Sequence, residues 1–553
     1  MAKKTFLTLF LVILIVNFIG LFGVIFTTDS SLCAAISKSF SDSGDYINIF
    51  VNGNDWLDKP HFPFWVCAVF IKLLGNTSFA YKLPSFIFFI VGLIYTYKLS
   101  KKLYNTNIAY VSTLILGSSV HVFLSNNDVR AEAILLGLIT GASYYLYNLK
   151  LKFSVRDLIL AAAFTAAAIM TKGIFILIIP FSALFFDMLL KKELKKNLKI
   201  KWLLVLILTF IFIIPEIYAV YQQFDLHPEK VVFGKKNVSG VKFMFWDSQF
   251  GRFFNTGPIK GIGDFTFFIH TMLWAFAPWA IIGFSSLVVT GKNLLTKVKI
   301  RESFTFFGFI IMFIVFSLSK FQLPHYVNII YPFIAIMTAS LMHYNNKIWF
   351  NKVLKFSMNI YSVVFLIVVA LVEYFFRTEH LVVSLSIFLV QLILLVYFNN
   401  KAVKHKYKFF ILGVLSSALF FVFLNLAFYP SLLKYQSGSQ VAFYNNKYYP
   451  KEDIVVSYNN WLLQYYSRNN LHHVQTIDEL KKEIQNNNKI LVADESFYKN
   501  IKNSTLDFEV LKVFENYTIT NLTADFLYFK TREKTLSYNY LIEVKTFANN
   551  GLK

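Results

Sequence analysis

Seven ionisable side chains stand beside long apolar runs: Asp29, Asp58, Lys59, Asp128, Lys172, Arg252 and Lys320. Charge next to hydrocarbon is costly, so these positions carry information. Two of them also have an ordinary structural reading. Asp29, in Phe26-Thr27-Thr28-Asp29-Ser30, suits a helix cap. Asp128, in Asn126-Asn127-Asp128-Val129-Arg130-Ala131-Glu132, suits the N-cap of the next helix, with Glu132 in a first turn favoured by the helix dipole. Lys172 resists that reading, because Thr171-Lys172-Gly173 makes a tight turn between two apolar helices. Lys320, in Ser319-Lys320-Phe321-Gln322-Leu323-Pro324-His325-Tyr326, has the same placement. Cations gathered round one anion suit a phosphate, whose charge grows as its bond to carbon breaks. A carboxylate opposite can accept a proton from an attacking hydroxyl or amine. A second carboxylate is not needed as an acid, since phosphate leaves without protonation.

These groups must be held by a membrane scaffold. The chain has 553 residues, 56% of them hydrophobic, and only 15% charged, against about a quarter in an ordinary soluble domain. Mean hydropathy is +0.53. Apolar runs of roughly 18 to 25 residues recur to about residue 430, each able to cross the hydrocarbon layer as a helix. Candidate spans lie near 5–26, 82–100, 108–125, 130–149, 156–171, 173–190, 203–222, 265–290, 304–319, 325–343, 354–375, 380–398 and 409–429. That makes about thirteen. The start is signal-like, but no small-residue cleavage site follows, so the first run is expected to stay as a span.

Lysine placement orients the chain. The net charge of +23 comes from lysines crowding short connections at 98–102, 150–156, 191–201, 292–301, 347–355 and 401–408. With the N-terminal lysines inside, all of these fall on the cytoplasmic side, as the positive-inside rule requires. Nucleic acid is therefore not an expected partner. Phe62–Leu74 is short for a span, and counting it would reverse every later loop, so it is placed as a juxtamembrane helix. Loops 27–81 and 223–264 then lie outside, and all seven ionisable groups fall at external helix ends, as expected of one site.

Beyond about residue 430 the apolar runs shorten. Asp453–Tyr458 and Lys489–Ala493 read as strands, and Thr476–Gln485 as a helix with Thr476 and Glu479 as a capping box. The expected architecture is an all-α polytopic membrane domain over 1–430 and a small extracytoplasmic α/β domain over 431–553. Cys33 and Cys67 fall in or beside the first external loop and are expected as two free thiols, a disulfide being the other reading. DxD, GxGxxG, P-loop, CxxC and HExxH motifs are absent, so neither a nucleotide-bound donor nor a zinc site is expected.

An ordered set of motifs runs through the chain: Thr28-Asp29-Ser30, Ala35-Ile36-Ser37, Ser43-Gly44-Asp45-Tyr46, Asn52-Gly53, Asp58-Lys59-Pro60 and Tyr81-Lys82-Leu83-Pro84-Ser85. It continues through Asn127-Asp128, Thr171-Lys172-Gly173, Phe245-Trp246-Asp247, Gly251-Arg252-Phe253 and Ser319-Lys320 with Leu323-Pro324 and Tyr326. The set resembles the GT-C membrane glycosyltransferases, in the branch of the lipid A aminoarabinose transferases and protein O-mannosyltransferases. The resemblance implies inverting, single-displacement transfer of a sugar from a polyprenyl phosphate to a lipid A, glycan or protein acceptor. It makes Asp29 the catalytic base and Lys59 and Arg252 the phosphate-binding cations. Asp128, assigned with Asp29 to catalysis, joins Lys172 and Tyr326 as pocket residues, and Lys320 is grouped with the substrate-binding set. Asp58 stands where the aminoarabinose branch has a glutamate associated with a metal.

The chain departs from the pattern at Ser30, at Leu32-Cys33, at Lys59-Pro60-His61, and at Ser248 after Asp247. No metal and no soluble cofactor is predicted, and sugar and acceptor stay open. The expected location is a bacterial cytoplasmic membrane with the site facing outward. The rivals are a glycolipid transporter or flippase, for which the mid-span acids Glu216 and Glu373 would be the candidates, and a non-catalytic sensor.

Overall fold

Apolar side chains that find no protein partner mark where this fold meets lipid. In the computed structural model, helices Ile348–Phe376 and Leu381–Asn399 bury only 28% and 22% of their most apolar windows. Side chains such as Val382, Ile393 and Val396 project outward. A helix apolar on its outer face satisfies its own backbone and belongs in hydrocarbon. The structure describes residues 1–296, 302–345, 347–403, 405–484 and 488–545. Part of the basic loop 292–301, together with Lys404 and Gln485, lies outside them.

Among the described residues six helices are long and apolar enough to span a membrane. They are Lys3–Phe22, Ser78–Leu103, Pro324–Tyr344, Ile348–Phe376, Leu381–Asn399 and Lys408–Leu433. The number rises to eight if the bent pairs Thr106–Gly117 with Val120–Asp128 and Ile200–Phe212 with Ile214–Asp225 each count as one span. Shorter apolar helices include Ile174–Leu190, Ala280–Leu295 and Phe304–Leu318. The expected single span at 265–290 is instead two helices, Phe267–Ala275 and Ala280–Leu295. Pro278 lies in the break, where its missing N–H and its ring stop a helix from continuing. Helices Ser78–Leu103 and Ala131–Leu151 pack closely because Gly137 has no side chain; a Cβ there would meet the Phe88 carbonyl oxygen at 2.4 Å.

Phe62–Leu74 forms the short helix expected of it. The rest of the first loop is built round helix Thr28–Ser43, which starts at Thr27 as N-cap and stops at Gly44 in the left-handed conformation, the favoured C-terminal device. A two-stranded hairpin follows, β1 (Phe50–Val51) and β2 (Asn54–Asp55).

The C-terminal region carries a five-stranded sheet in the order β4-β3-β5-β7-β6. β3 (Ile454–Val456) lies parallel to both β4 (Leu471–His473) and β5 (Lys489–Ala493). β6 (Phe508–Asn516) and β7 (Ser537–Val544) complete it antiparallel, with an irregularity between Val510 and Lys512. The expected helix is Ile477–Glu483, and Thr476 caps it. Glu479 reaches back to the Gln475 N–H at 2.7 Å, one residue before the position a capping box uses.

This region is tied to the start of the chain. The Ile25 N–H donates to the Tyr466 hydroxyl at 3.0 Å, and Gln436 Nε2 donates to the Phe26 carbonyl at 2.6 Å. Lys38 donates to the carbonyls of Gln464 and Ser467, near the C-terminus of helix Trp461–Tyr466, where a cation complements the helix dipole.

Candidate functional site

Asp29 sits in the first turn of helix Thr28–Ser43, the end at which a carboxylate is stabilised. Thr27, not Asp29, is the cap, accepting from the Ser30 N–H at 3.2 Å. Asp29 is thereby free to face a cavity of about 310 Å³. Lys59 donates to one of its oxygens and Arg130 Nη1 approaches the other at 3.0 Å. Burial alone would raise the Asp29 pKa; the ammonium of Lys59 and the guanidinium of Arg130 outweigh it and hold the carboxyl below its ordinary value. Burial alone would lower Lys59, but the neighbouring carboxylates leave it raised. Cys33, a free thiol 3.5 Å from Lys59 Nζ, is pushed up to about 11 by burial.

Asp128 is not the N-cap of the next helix. It is the last residue of helix Val120–Asp128 and accepts from the Thr27 N–H at 3.1 Å and the Thr27 hydroxyl at 2.8 Å. Val129 then turns the chain at φ 49°, ψ 52°, a left-handed conformation that is unfavourable for a β-branched residue. This turn sends Asp128 and Arg130 to the same side, where Arg130 Nε lies 2.5 Å from Asp128 Oδ2.

Lys172 ends helix Val155–Lys172 and pairs with Glu132. Its ammonium lies 4.1 Å from the centre of the Tyr326 ring, a cation–π contact. Arg252, in helix Ser248–Phe254, pairs with Asp58. The cavity thus brings together Asp29, Asp58, Lys59, Lys172, Arg252 and Tyr326. Asp128 stands at its edge through Arg130. Lys320 is left out: its side chain is exposed and does not line the cavity. What its segment contributes is backbone, with the Lys320 N–H donating to the Phe253 carbonyl at 3.2 Å and glycines 261 and 263 packed against it. Among the described residues no three His, Cys, Asp or Glu side chains converge as metal ligands. Asp58 faces a guanidinium, so the residues present do not fit a metal.

Arg130, paired with Asp29 and Asp128, and Glu132, paired with Lys172, belong to the site although neither was assigned to it from the sequence. The available signal was their place two and four residues after Asp128, on the side where cations are scarce. His325, 3.9 Å from Glu132, was passed over beside Tyr326.

A second, larger and mainly apolar cavity of about 1150 Å³ opens beside the first, lined by Phe22, Trp274, Tyr361, Phe428 and Tyr429 among others. Lys82, Asp128 and His325 give it a polar end, and Arg130 and Leu323 line both cavities.

The chain is similar in sequence and fold to known proteins. Residues 58–218 match the family model for dolichyl-phosphate-mannose-protein mannosyltransferase. An uncharacterized protein of Aquifex aeolicus is 25% identical over 346 residues, 62% of this chain and 64% of that one. The undecaprenyl phosphate-alpha-4-amino-4-deoxy-L-arabinose arabinosyl transferase 2 of Proteus mirabilis is 23% identical over 304 residues, 54% of this chain and 52% of its own. The chain therefore matches less than two thirds of the length of these curated relatives. Among solved structures, ArnT from Cupriavidus metallidurans bound to undecaprenyl phosphate superposes with a TM-score of 0.77 and 18% identity, covering 100% of both chains. Its apo state gives 0.73. The chain is an integral membrane protein that shares the fold of ArnT and is similar in sequence to the aminoarabinose transferases.

Proposed function

We propose that the protein transfers a sugar from a polyprenyl-phosphate donor to a lipid, glycan or protein acceptor at the extracytoplasmic face. The observation that carries this reading is the cavity at Asp29. Its lining gathers Lys59, Arg130, Lys172 and Arg252 with the carboxylates of Asp29, Asp58 and Glu132, beside a larger, mainly apolar space suited to lipid. Lys59 and Arg252, now on Asp29 and Asp58, would turn to the donor's phosphate and stabilise the charge it gains as the glycosidic bond breaks. Asp29, relieved of Lys59, would accept the proton of the attacking acceptor group. Attack opposite the departing phosphate inverts the sugar carbon in a single displacement. Asp128 and Lys172 would orient the reactants.

With the thirteen spans expected from the sequence and the lysine-rich connections inside, the α/β region 431–553 and this site would lie at the outer surface of a bacterial cytoplasmic membrane. The transporter reading loses its support, because its mid-span acids are already engaged. Glu216 is bound to His61, and Glu373 accepts from the Thr378 hydroxyl at 2.6 Å. The deciding experiment compares cellular glycolipids and glycoproteins by mass spectrometry with the native chain and with Asp29→Asn. Loss of one defined sugar, with its polyprenyl-phosphate donor accumulating, is the expected result. An unchanged profile, with the variant present in the membrane, would refute the assignment.

A further inference from the structure

The two cations assigned to phosphate come from different loops. Lys59 belongs to the first, and Arg252 to the segment that follows the bent helix Ile200–Phe212 with Ile214–Asp225. Glu216 lies one residue past Pro215 in the second arm of that helix and is fully buried. A lone carboxylate there would be prohibitively costly. Its partner is His61, two residues after Lys59. The His61 N–H donates to Glu216 Oε1 and Oε2 at 3.1 and 3.0 Å, and ring Nδ1 lies 2.8 Å from Oε1. The other ring nitrogen, Nε2, lies 2.9 Å from the Ile47 carbonyl oxygen.

A carbonyl can only accept, so Nε2 carries a proton. Nδ1 faces a carboxylate and shares a second proton with it. The ring is therefore an imidazolium closed against a carboxylate. Burial alone would lower the His61 pKa, and Glu216 reverses this and raises it, with Asp45 adding to the effect. Phe40 stacks on the ring at 6.2 Å between centroids. Seven residues further along the same helix, Gln223 makes a second tie to the first loop, exchanging hydrogen bonds with the Ile49 N–H and C=O and donating to Asp55. His61 falls at Lys59-Pro60-His61, one of the places where the chain departs from the pattern it resembles.

We infer that the His61–Glu216 pair is a positioning latch that fixes the first loop on the helix leading into the second, and so sets Lys59 and Arg252 at the spacing a phosphate requires. The latch rests on the functional reading above. Neither residue touches substrate; both act through Lys59.

The test measures binding of undecaprenyl phosphate to the full chain in nanodiscs for the native protein, His61→Ala, Lys59→Ala and the double variant. His61→Ala should weaken binding roughly tenfold, the scale of coupling within one network. It should add nothing further once Lys59 is gone. Equal weakening in both backgrounds would mean general destabilisation and overturn the latch, as would no weakening in the native background. His61→Gln, whose amide can still donate to Glu216, should recover part of the loss, and no recovery in a folded His61→Gln protein counts against the latch. If undecaprenyl phosphate binds native and Lys59→Ala protein alike, the functional reading fails. The latch is then judged by geometry alone, with spin labels at the exposed positions Asn54 and Lys236. A broadened distance distribution in His61→Ala supports it, and an unchanged one overturns it.

Discussion

Asp29 and Asp128, 99 residues apart in sequence, share one guanidinium: Arg130 places Nη1 3.0 Å from Asp29 and Nε 2.5 Å from Asp128. The base proposed for the reaction is thus tied to a buried carboxylate that cannot itself reach water freely. Arg130 also lines both cavities, so it stands where the polar and apolar compartments meet.

Removing the guanidinium should therefore be felt first in stability. Arg130→Met strands Asp128 beside Thr27 and should cost ~3 kcal/mol, the lower end for an abandoned buried charge. Combining it with Asp128→Asn should cost less than the two separate losses added together. Thermal unfolding of the four proteins in detergent measures the coupling; strict additivity would mean that the pair does not interact.

Asp29→Asn should leave folding intact and reduce transfer about 10²- to 10⁴-fold, the range for loss of a general base. Donor binding should be retained, since the asparagine still fits and no phosphate cation is lost. Turnover and donor affinity measured on the same preparation separate the two effects.

The acid limb of the kcat/KM profile, which reports the donor-free protein with Lys59 still on Asp29, follows from the depressed Asp29 pKa. The base works ionised, so activity should persist as pH falls and decline only below the ordinary carboxylate value of 3.8. In Arg130→Met the limb should move upward, because one of the cations holding Asp29 ionised is gone. A native acid limb near pH 6 would assign the base to another group.

Cations in the cavity and outside it should behave differently. Lys59→Ala and Arg252→Ala should each weaken donor binding about ten- to a hundred-fold, as expected for charge-assisted hydrogen bonds. Lys320→Ala should change it by less than about twofold, because its side chain points to solvent. Equal losses at all three positions would mean that Lys320 turns inward in the working protein.

Much of the scaffold was readable because lipid imposes simple rules: apolar runs, lysine-rich connections on one side, and charges only at helix ends. These rules bring out Asp29, Lys59, Lys172 and Arg252, which do converge. They do not distinguish Lys172 from Lys320, since both are lone lysines between apolar helices. The difference lies in whether the backbone turns the side chain toward Tyr326 or away from it. Arg130 escaped assignment because its neighbours suggest a helix start, and only the left-handed turn at Val129 aims it at the cavity. Glu216 looked like a mid-membrane acid because its partner lies 155 residues earlier in the chain. The break at Pro278 lay within an apolar stretch that otherwise reads as one helix.

The bonds from Tyr466 and Gln436 to residues 25 and 26 have a consequence for biosynthesis. The segment leading into Asp29 is synthesised hundreds of residues before Tyr466 and Gln436, two of its anchors. An incomplete chain already inserted in the bilayer has all its cations and its aspartate, but lacks the groups that hold that aspartate's segment in place. Translation stopped before residue 436 should thus leave a membrane protein whose Asp29 segment lacks both of these bonds.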